Sequence, residues 1–266
     1  MTNKVTPALL KKMKKSGEPI VALTCYDAPT SSLLEEAGID VALVGDSLGN
    51  VKLGYENTLP VTLWDIRHHT QAAKRRNSRA LLVADMPYLS YETDPREAAR
   101  NAGMLVKEGG AEAVKLEGGQ AMLPTIRAIL KANVPVMGHL GLTPQSLHRL
   151  GGYTVQGRGR QDARRLFEDA KHLERVGVFA LVLECIPKEL GRRITKALSI
   201  PTIGIGAGPS CDGQILVIDD MLGLSTGPAP KFLKRYAALR TLALKAILHY
   251  QQDVKKHRYP SIEHSY

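Results

Sequence analysis

Eight short apolar runs, most of them separated by an amphipathic segment, constrain this chain more tightly than any other feature of it. They are Val21–Cys25, Val41–Gly45, Leu81–Asp85, Ala113–Glu117, Val134–Gly138, Leu181–Glu184, Thr202–Ile205 and Ile215–Asp219. A run such as Val41-Ala42-Leu43-Val44 does not alternate, so both its faces are expected to be buried, as in a parallel sheet. Between the runs, Pro60-Val61-Thr62, Thr93-Asp94-Pro95 and Pro187 mark helix starts, because proline suits the first helical turn. Gly38, Gly109-Gly110 and Gly177 stand where left-handed helix caps are needed. Strand–helix alternation with eight strands predicts an α/β fold, a (β/α)8 TIM barrel, in preference to an open doubly wound sheet. The composition agrees: 44% of residues are apolar but only 5% aromatic, so the core is built from Leu, Val, Ile and Ala.

Two ends lie outside the repeat. A short helix over 6–15, capped by Thr6 and opened by Pro7, is expected to close the bottom of the barrel. A long final helix is expected over 231–252, with 253–266 a polar C-terminal tail. No linker, low-complexity stretch or repeat beyond the strand–helix unit interrupts the chain, so 1–266 reads as a single catalytic domain.

Charge and cysteine content exclude several classes. The net charge of +10 is spread over clusters at Lys11–Lys15, Lys74–Arg76, Arg164–Arg165, Arg192–Arg193, Lys231–Arg235 and Lys255–Lys256. No aromatic residues interleave with them as a stacking platform for nucleic acid requires. They read as a solvated basic surface with a modest pull on anionic ligands. No window holds the eighteen or so apolar residues of a membrane span, and the basic N-terminus lacks the pattern of a secretory signal. Three cysteines (Cys25, Cys185 and Cys211) without CxxC spacing fit a reducing, cytoplasmic setting.

The chemistry is expected where barrel strands end, on the C-terminal face. Asp46 and Ser47 follow the second run, Asp85 ends the third, Lys115 and Glu117 close the fourth, His139 follows the fifth and Glu184 ends the sixth. One acid at a strand end is ordinary turn chemistry. Four on neighbouring strands repel one another unless protons or a cation compensate. The donors are carboxylates, with no cysteine or histidine pair at zinc spacing, so a hard cation such as Mg²⁺ is favoured, and it needs only one or two of them. Asp46 and Asp85 form the best pair, with Glu117 next, directly or through water. Glu184, farther round the ring, is then free for proton transfer, and Lys115 can meet an anionic substrate. His139 is a further candidate for substrate contact.

Other motifs carry less. Gly204–Gly208, "GIGAG", reads mainly as close backbone packing, with ligand contact as the second reading. His68 and His69 lie within a helix, and Cys185 is expected to point away from the barrel axis. Residues 141–163 form a long Gly-rich connection of a kind that is more often functional than idle, and its Arg158 and Arg160 are candidates for the acidic part of a second substrate.

At these residues the chain resembles the ketopantoate hydroxymethyltransferase family. The matching stretches are TCYDAPTSSLLEEAGID, LVGDSLGN, TLPVTLWDIRHHTQA, VKLEGG, GHLGLTPQS, GGYTVQGR, LVLECIP and IGIGAGPSCDGQILV, in order over about residues 20–222. The resemblance implies Mg²⁺ on Asp46 and Asp85, Ser47 at the substrate carboxylate, Lys115 as a substrate contact, Glu117 as a metal-linked acid and Glu184 as general base. It implies hydroxymethyl transfer from methylenetetrahydrofolate, a cosubstrate, to the 2-oxo acid 3-methyl-2-oxobutanoate. It also implies a homo-oligomer, often a decamer. The departures, Lys52-Leu53 and Thr154, fall in loops. Two rivals remain at this point: a Mg²⁺ barrel of the isocitrate lyase and phosphoenolpyruvate mutase group, and a non-catalytic nucleic-acid binder. The first typically carries a catalytic loop with a cysteine, and none is suitably placed here.

Overall fold

Residues 4–227 and 229–266 are described by a computed structural model. Strands β1 (Ile20–Thr24), β2 (Val41–Val44), β3 (Leu81–Asp85), β4 (Ala113–Glu117), β5 (Val136–Gly141), β6 (Ala180–Glu184), β7 (Thr202–Ile205) and β8 (Gly213–Leu216) close in sequence order into a parallel barrel. β8 returns to β1 through Ile20 opposite Gly213. The expected TIM barrel is therefore the fold. The chain divides into two compact units, 1–216 and 217–266, and the first holds every strand.

In the first unit the helices are α1 (Pro7–Ser16), α2 (Ala28–Glu36), α3 (Leu48–Val51), α4 (Leu63–Lys74), α5 (Pro95–Lys107), α6 (Leu123–Lys131), α7 (Leu147–Leu150), α8 (Arg160–Val176) and α9 (Lys188–Ala197). The sequence signals act as read. Thr62 and Asp65 form a reciprocal capping box on α4, and Asp94 caps α5 with Pro95 in its first turn. Gly17 and Gly177 end α1 and α8 in left-handed conformation. The GIGAG turn packs as backbone. Gly208 has φ +87, and a Cβ there would stand 2.6 Å from that of Lys188 on α9.

Helix α1 closes the barrel floor. Thr6 Oγ1 accepts from Leu9 N–H, and Val5, Leu10 and Met13 join one apolar cluster with Ile20, Val41, Leu81 and Ile203 from the strand starts. Lys14 Nζ pins the helix to Asp212 at 2.8 Å.

Three elements differ from expectation by two residues or more. β5 begins at Val136, because Pro135 has no N–H for the ladder, and it continues to Gly141, so His139 lies within the strand rather than after it. β8 is Gly213–Leu216, not 215–219. Gly213 is what lets this strand approach Ile20, whose carbonyl oxygen a Cβ would meet at 2.4 Å, and Val217 already caps a short helix. In the second unit, α10 spans Ile218–Met221, and the long helix α11 runs from Leu239 to Lys255 rather than over 231–252. A turn closed by Leu233 N–H on the Pro230 carbonyl occupies the earlier residues.

The floor yields a stability test. Leu10 is fully buried, so Leu10→Ala should cost about 2–5 kcal/mol in urea unfolding, with native far-UV dichroism retained. A loss under about 1 kcal/mol would show that α1 is not part of the core.

Candidate active site

The C-terminal ends of β2 to β6 bring the expected polar residues into one buried cluster. Register sets the pairs. Asp85 lies opposite Lys115, and Glu117 opposite His139. Because strand residues alternate, Lys115 and Glu117 share one face. Lys115 Nζ stands 2.8 Å from Asp85 Oδ1, and the other Asp85 oxygen accepts the Asp46 N–H at 2.9 Å. Farther round, His139 Nδ1 is 3.4 Å from Glu117 and its Nε2 is 3.2 Å from Glu184. Neither ring nitrogen has hydrogen-bond geometry to its carboxylate. Ser47 Oγ lies 2.8 Å from the Tyr26 hydroxyl.

Gln145 joins the two halves. Its Nε2 donates to Asp46 Oδ2 at 2.8 Å and to the Met86 carbonyl at 3.0 Å, and its backbone N–H donates to Glu117 Oε2 at 3.1 Å. Tyr91 in turn donates its hydroxyl to Gln145 Oε1 at 2.7 Å. The sequence reading missed Gln145 and Tyr91. Gln145 lies in the quoted GHLGLTPQS stretch, but its burial appears only once the loop is folded.

Burial and crowding set the protonation. Burial, opposed by Lys115 and reinforced by the charge of Asp46, raises the Asp85 carboxyl to about 6. Burial also raises Glu117 to about 7, against the pull of His139. Burial and Lys115 press His139 downward, but Glu117 and Glu184 outweigh them and lift it to about 9. Burial works against the Lys115 ammonium too, yet Asp85, Asp46 and Glu117 hold it charged above the usual lysine range. The Cys185 thiol, beside Glu184, is pushed up to about 12 by burial and by that carboxylate, which disfavours it as a nucleophile.

Four carboxylates around one lysine and one histidine leave the cluster anionic. Among the described residues no three His, Cys, Asp or Glu side chains converge as a ready cage. What the cluster offers is a carboxylate pair, Asp46 and Asp85, which the missing side chain of Gly45 keeps uncrowded. A Cβ on Gly45 would stand 2.9 Å from Ser47 Oγ and 3.4 Å from Asp85 Oδ2. A hard cation that keeps positions for water and substrate oxygens fits such a donor set.

Comparison with known proteins finds relatives along nearly the whole chain. The family model for ketopantoate hydroxymethyltransferase matches residues 4–262. A 3-methyl-2-oxobutanoate hydroxymethyltransferase of Geobacter sulfurreducens is 57% identical over 257 residues, covering 97% of this chain and 96% of that one. The enzyme of the same name from Moorella thermoacetica is 55% identical over 264 residues, 99% and 98% of the two chains. Among solved structures, phosphonopyruvate hydrolase in complex with oxalate and Mg²⁺ aligns with a TM-score of 0.64 at 12% identity, covering 98% of this chain and 93% of that one. For 2,3-dimethylmalate lyase, a phosphoenolpyruvate mutase/isocitrate lyase superfamily member, the values are 0.59, 17%, 96% and 89%. These two show a shared fold.

The raised Glu117 carboxyl has a measurable consequence. Its value goes from an ordinary 4.5 to about 7 in the fold, so the native state binds the extra proton between those limits. Stability from this group is complete below the lower value and is lost as pH rises through the upper one. In chelator, Glu117→Gln should therefore flatten the fall in urea midpoint across this window. An unchanged slope would show that the carboxyl is not held as described.

Proposed function

The chain belongs to the ketopantoate hydroxymethyltransferase family, and from that premise we propose that it moves a hydroxymethyl group from methylenetetrahydrofolate to 3-methyl-2-oxobutanoate. The product is 2-dehydropantoate, for pantothenate biosynthesis. The single observation behind this reading is the joining of Asp46, Asp85, Lys115, Glu117, His139 and Glu184 in one buried cluster at the barrel mouth. The solved structures of the same fold are disfavoured as a rival reading by their 12–17% identity, against 51–57% for the hydroxymethyltransferases.

Asp46 and Asp85 would hold Mg²⁺, with Glu117 directly or through water. Bound there, the ion supplies Lewis-acid polarisation of the substrate's keto and carboxylate oxygens. Lys115 offsets the substrate's negative charge, and Ser47 meets its carboxylate, with the Tyr26 hydroxyl fixing the serine. Glu184 takes the C3 proton. His139, cationic at neutral pH, orients that carboxylate while facing Glu117 on its other side and lines the substrate cavity. Water adds to the one-carbon unit and tetrahydrofolate leaves, giving formaldehyde; the carbanion attacks that carbon, and the new alkoxide takes up a proton to become the hydroxyl group.

We further propose that 1–266 works as one catalytic domain in a cytoplasmic homo-oligomer, such as the decamer that the family implies, without nucleic-acid or membrane partners. Among the described residues no helix is long and apolar enough to cross a membrane. Helix α11 leaves Leu242, Leu244, Ile247 and Tyr250 at least half exposed, which supports association through apolar surface.

The deciding assay is 2-dehydropantoate formation with and without folate and Mg²⁺. Asp46→Ala and Asp85→Ala should each abolish the Mg²⁺-dependent activity while far-UV dichroism stays native, with Asp85→Ala also losing stability because it leaves Lys115 unpaired. Near-normal turnover at limiting Mg²⁺ in either variant would remove that residue from the metal site. Glu184→Gln should still bind Mg²⁺ and the 2-oxo acid, but lose roughly 10²–10⁴ in rate and fail to exchange the C3 proton with deuterium even without folate. Normal exchange would pass the role of base to another group, His139 first.

A further inference from the structure

Beside the anionic barrel mouth lies a second concavity, and it is cationic. Arg158, Arg160 and Arg164 from the start of α8, with Arg193 from α9, surround a cavity of about 580 Å³ against the Phe167 ring. That volume is in the range of small-molecule sites. Among the described residues none of these four guanidiniums lies within ion-pair distance of a carboxylate, whereas their neighbours Arg165 and Arg192 are paired with Asp162 and Glu189. Arg193 is held 5.4 Å from the Phe167 centroid, with Lys171 Nζ at 4.8 Å, so two cations share one ring. The N-cap of α8, Gly159, offers no side-chain acceptor to the first-turn N–H groups. Glu168 is the one acid lining the cavity.

The loop that leads into α8 connects this cavity to the barrel mouth. Gln156 N–H bonds the Cys185 carbonyl at 2.9 Å, next to Glu184, and Arg158 follows two residues on. From Gln156 to Arg158 an extended chain reaches at most about 7 Å. A single elongated ligand can thus have one end among the carboxylates and the other among the arginines.

We propose that the arginine cavity receives the carboxylates of the donor's glutamyl tail while its one-carbon end faces Glu184. This rests on the reading of the donor as methylenetetrahydrofolate. Planar guanidiniums match carboxylates in bidentate fashion, and four of them around one cavity suit several carboxylates in series. Glu168 is placed to accept the amide N–H of a γ-glutamyl link. The tail adds binding energy at a point remote from the reacting carbon and is expected to act on donor affinity rather than on turnover.

The test compares monoglutamyl and triglutamyl methylenetetrahydrofolate with the full-length protein in saturating Mg²⁺ at fixed ionic strength. The wild type should show the lower KM for the triglutamyl form. Arg164→Gln/Arg193→Gln, both exposed positions, should raise that KM roughly five- to tenfold, with kcat and the folate-free C3 exchange unchanged. Free γ-triglutamate should compete with the donor in the wild type and lose that ability in the variant. Equal competition by inorganic phosphate would mark a general anion site and overturn the assignment. Product formed from both donors with KM indifferent to tail length and to the variant would overturn this inference alone. A wild type that exchanges the C3 proton yet makes no product from either donor would overturn the folate reading and the inference together.

Discussion

The buried ion pair between Lys115 and Asp85 is the contact on which the rest of the site depends. Both side chains are almost wholly withdrawn from water, at 6% and 3% exposure. Two buried charges repay their desolvation only where geometry is good and the remaining lone pairs are satisfied. Here the β3–β4 register supplies the geometry, and the Asp46 N–H satisfies the second Asp85 oxygen. One carboxylate thereby fixes both the ammonium on the next strand and the turn that follows β2. Removing either partner leaves an unpaired charge in the interior, so the pair holds the mouth of the barrel as well as serving its chemistry.

Around that pair the cluster divides into two halves of different character. Asp46, Asp85 and Lys115 form an oxygen-rich corner suited to a cation and an anionic substrate. Glu117, His139 and Glu184 form a line in which one imidazole stands between two carboxylates. Gln145 touches both halves, and an amide is apt for that place. It donates to each carboxylate without adding charge to a region that already has too many negative groups. A lysine there would compete with the cation, and a carboxylate would repel its neighbours.

Much of this was legible in the sequence because a barrel converts chain position directly into spatial position. Apolar runs are strands, strand ends share one face, and acids at four such ends must meet. Asp46, Asp85, Lys115, Glu117, His139 and Glu184 meet for that reason. Where turn residues compete with pairing, the pattern was less readable. The apolar run at 215–219 does not mark Gly213, whose missing side chain lets β8 close the barrel on Ile20. The start of α11 was misplaced because a basic, partly apolar stretch over 231–238 has the composition of a helix without forming one. Tyr91 and Gln145 gave no local signal, since their roles depend on contacts between loops 54 residues apart.

The connection after β5 shows why such a long loop is retained. A tight turn would carry the chain from β5 to its helix, but it would supply neither Gln145 at the centre of the cluster nor the Gln156 N–H on the Cys185 carbonyl. Extending the loop lets one segment reach in over the mouth, return along the Cys185 carbonyl, and enter α8 with arginines at its first turn. Placing cations at that distance keeps them out of the carboxylate cluster, where they would pair with Asp46 or Glu184 and displace the ion those acids are suited to hold. Separation of the two charge signs along one loop therefore lets a single connection border an anionic cluster and a cationic cavity at once.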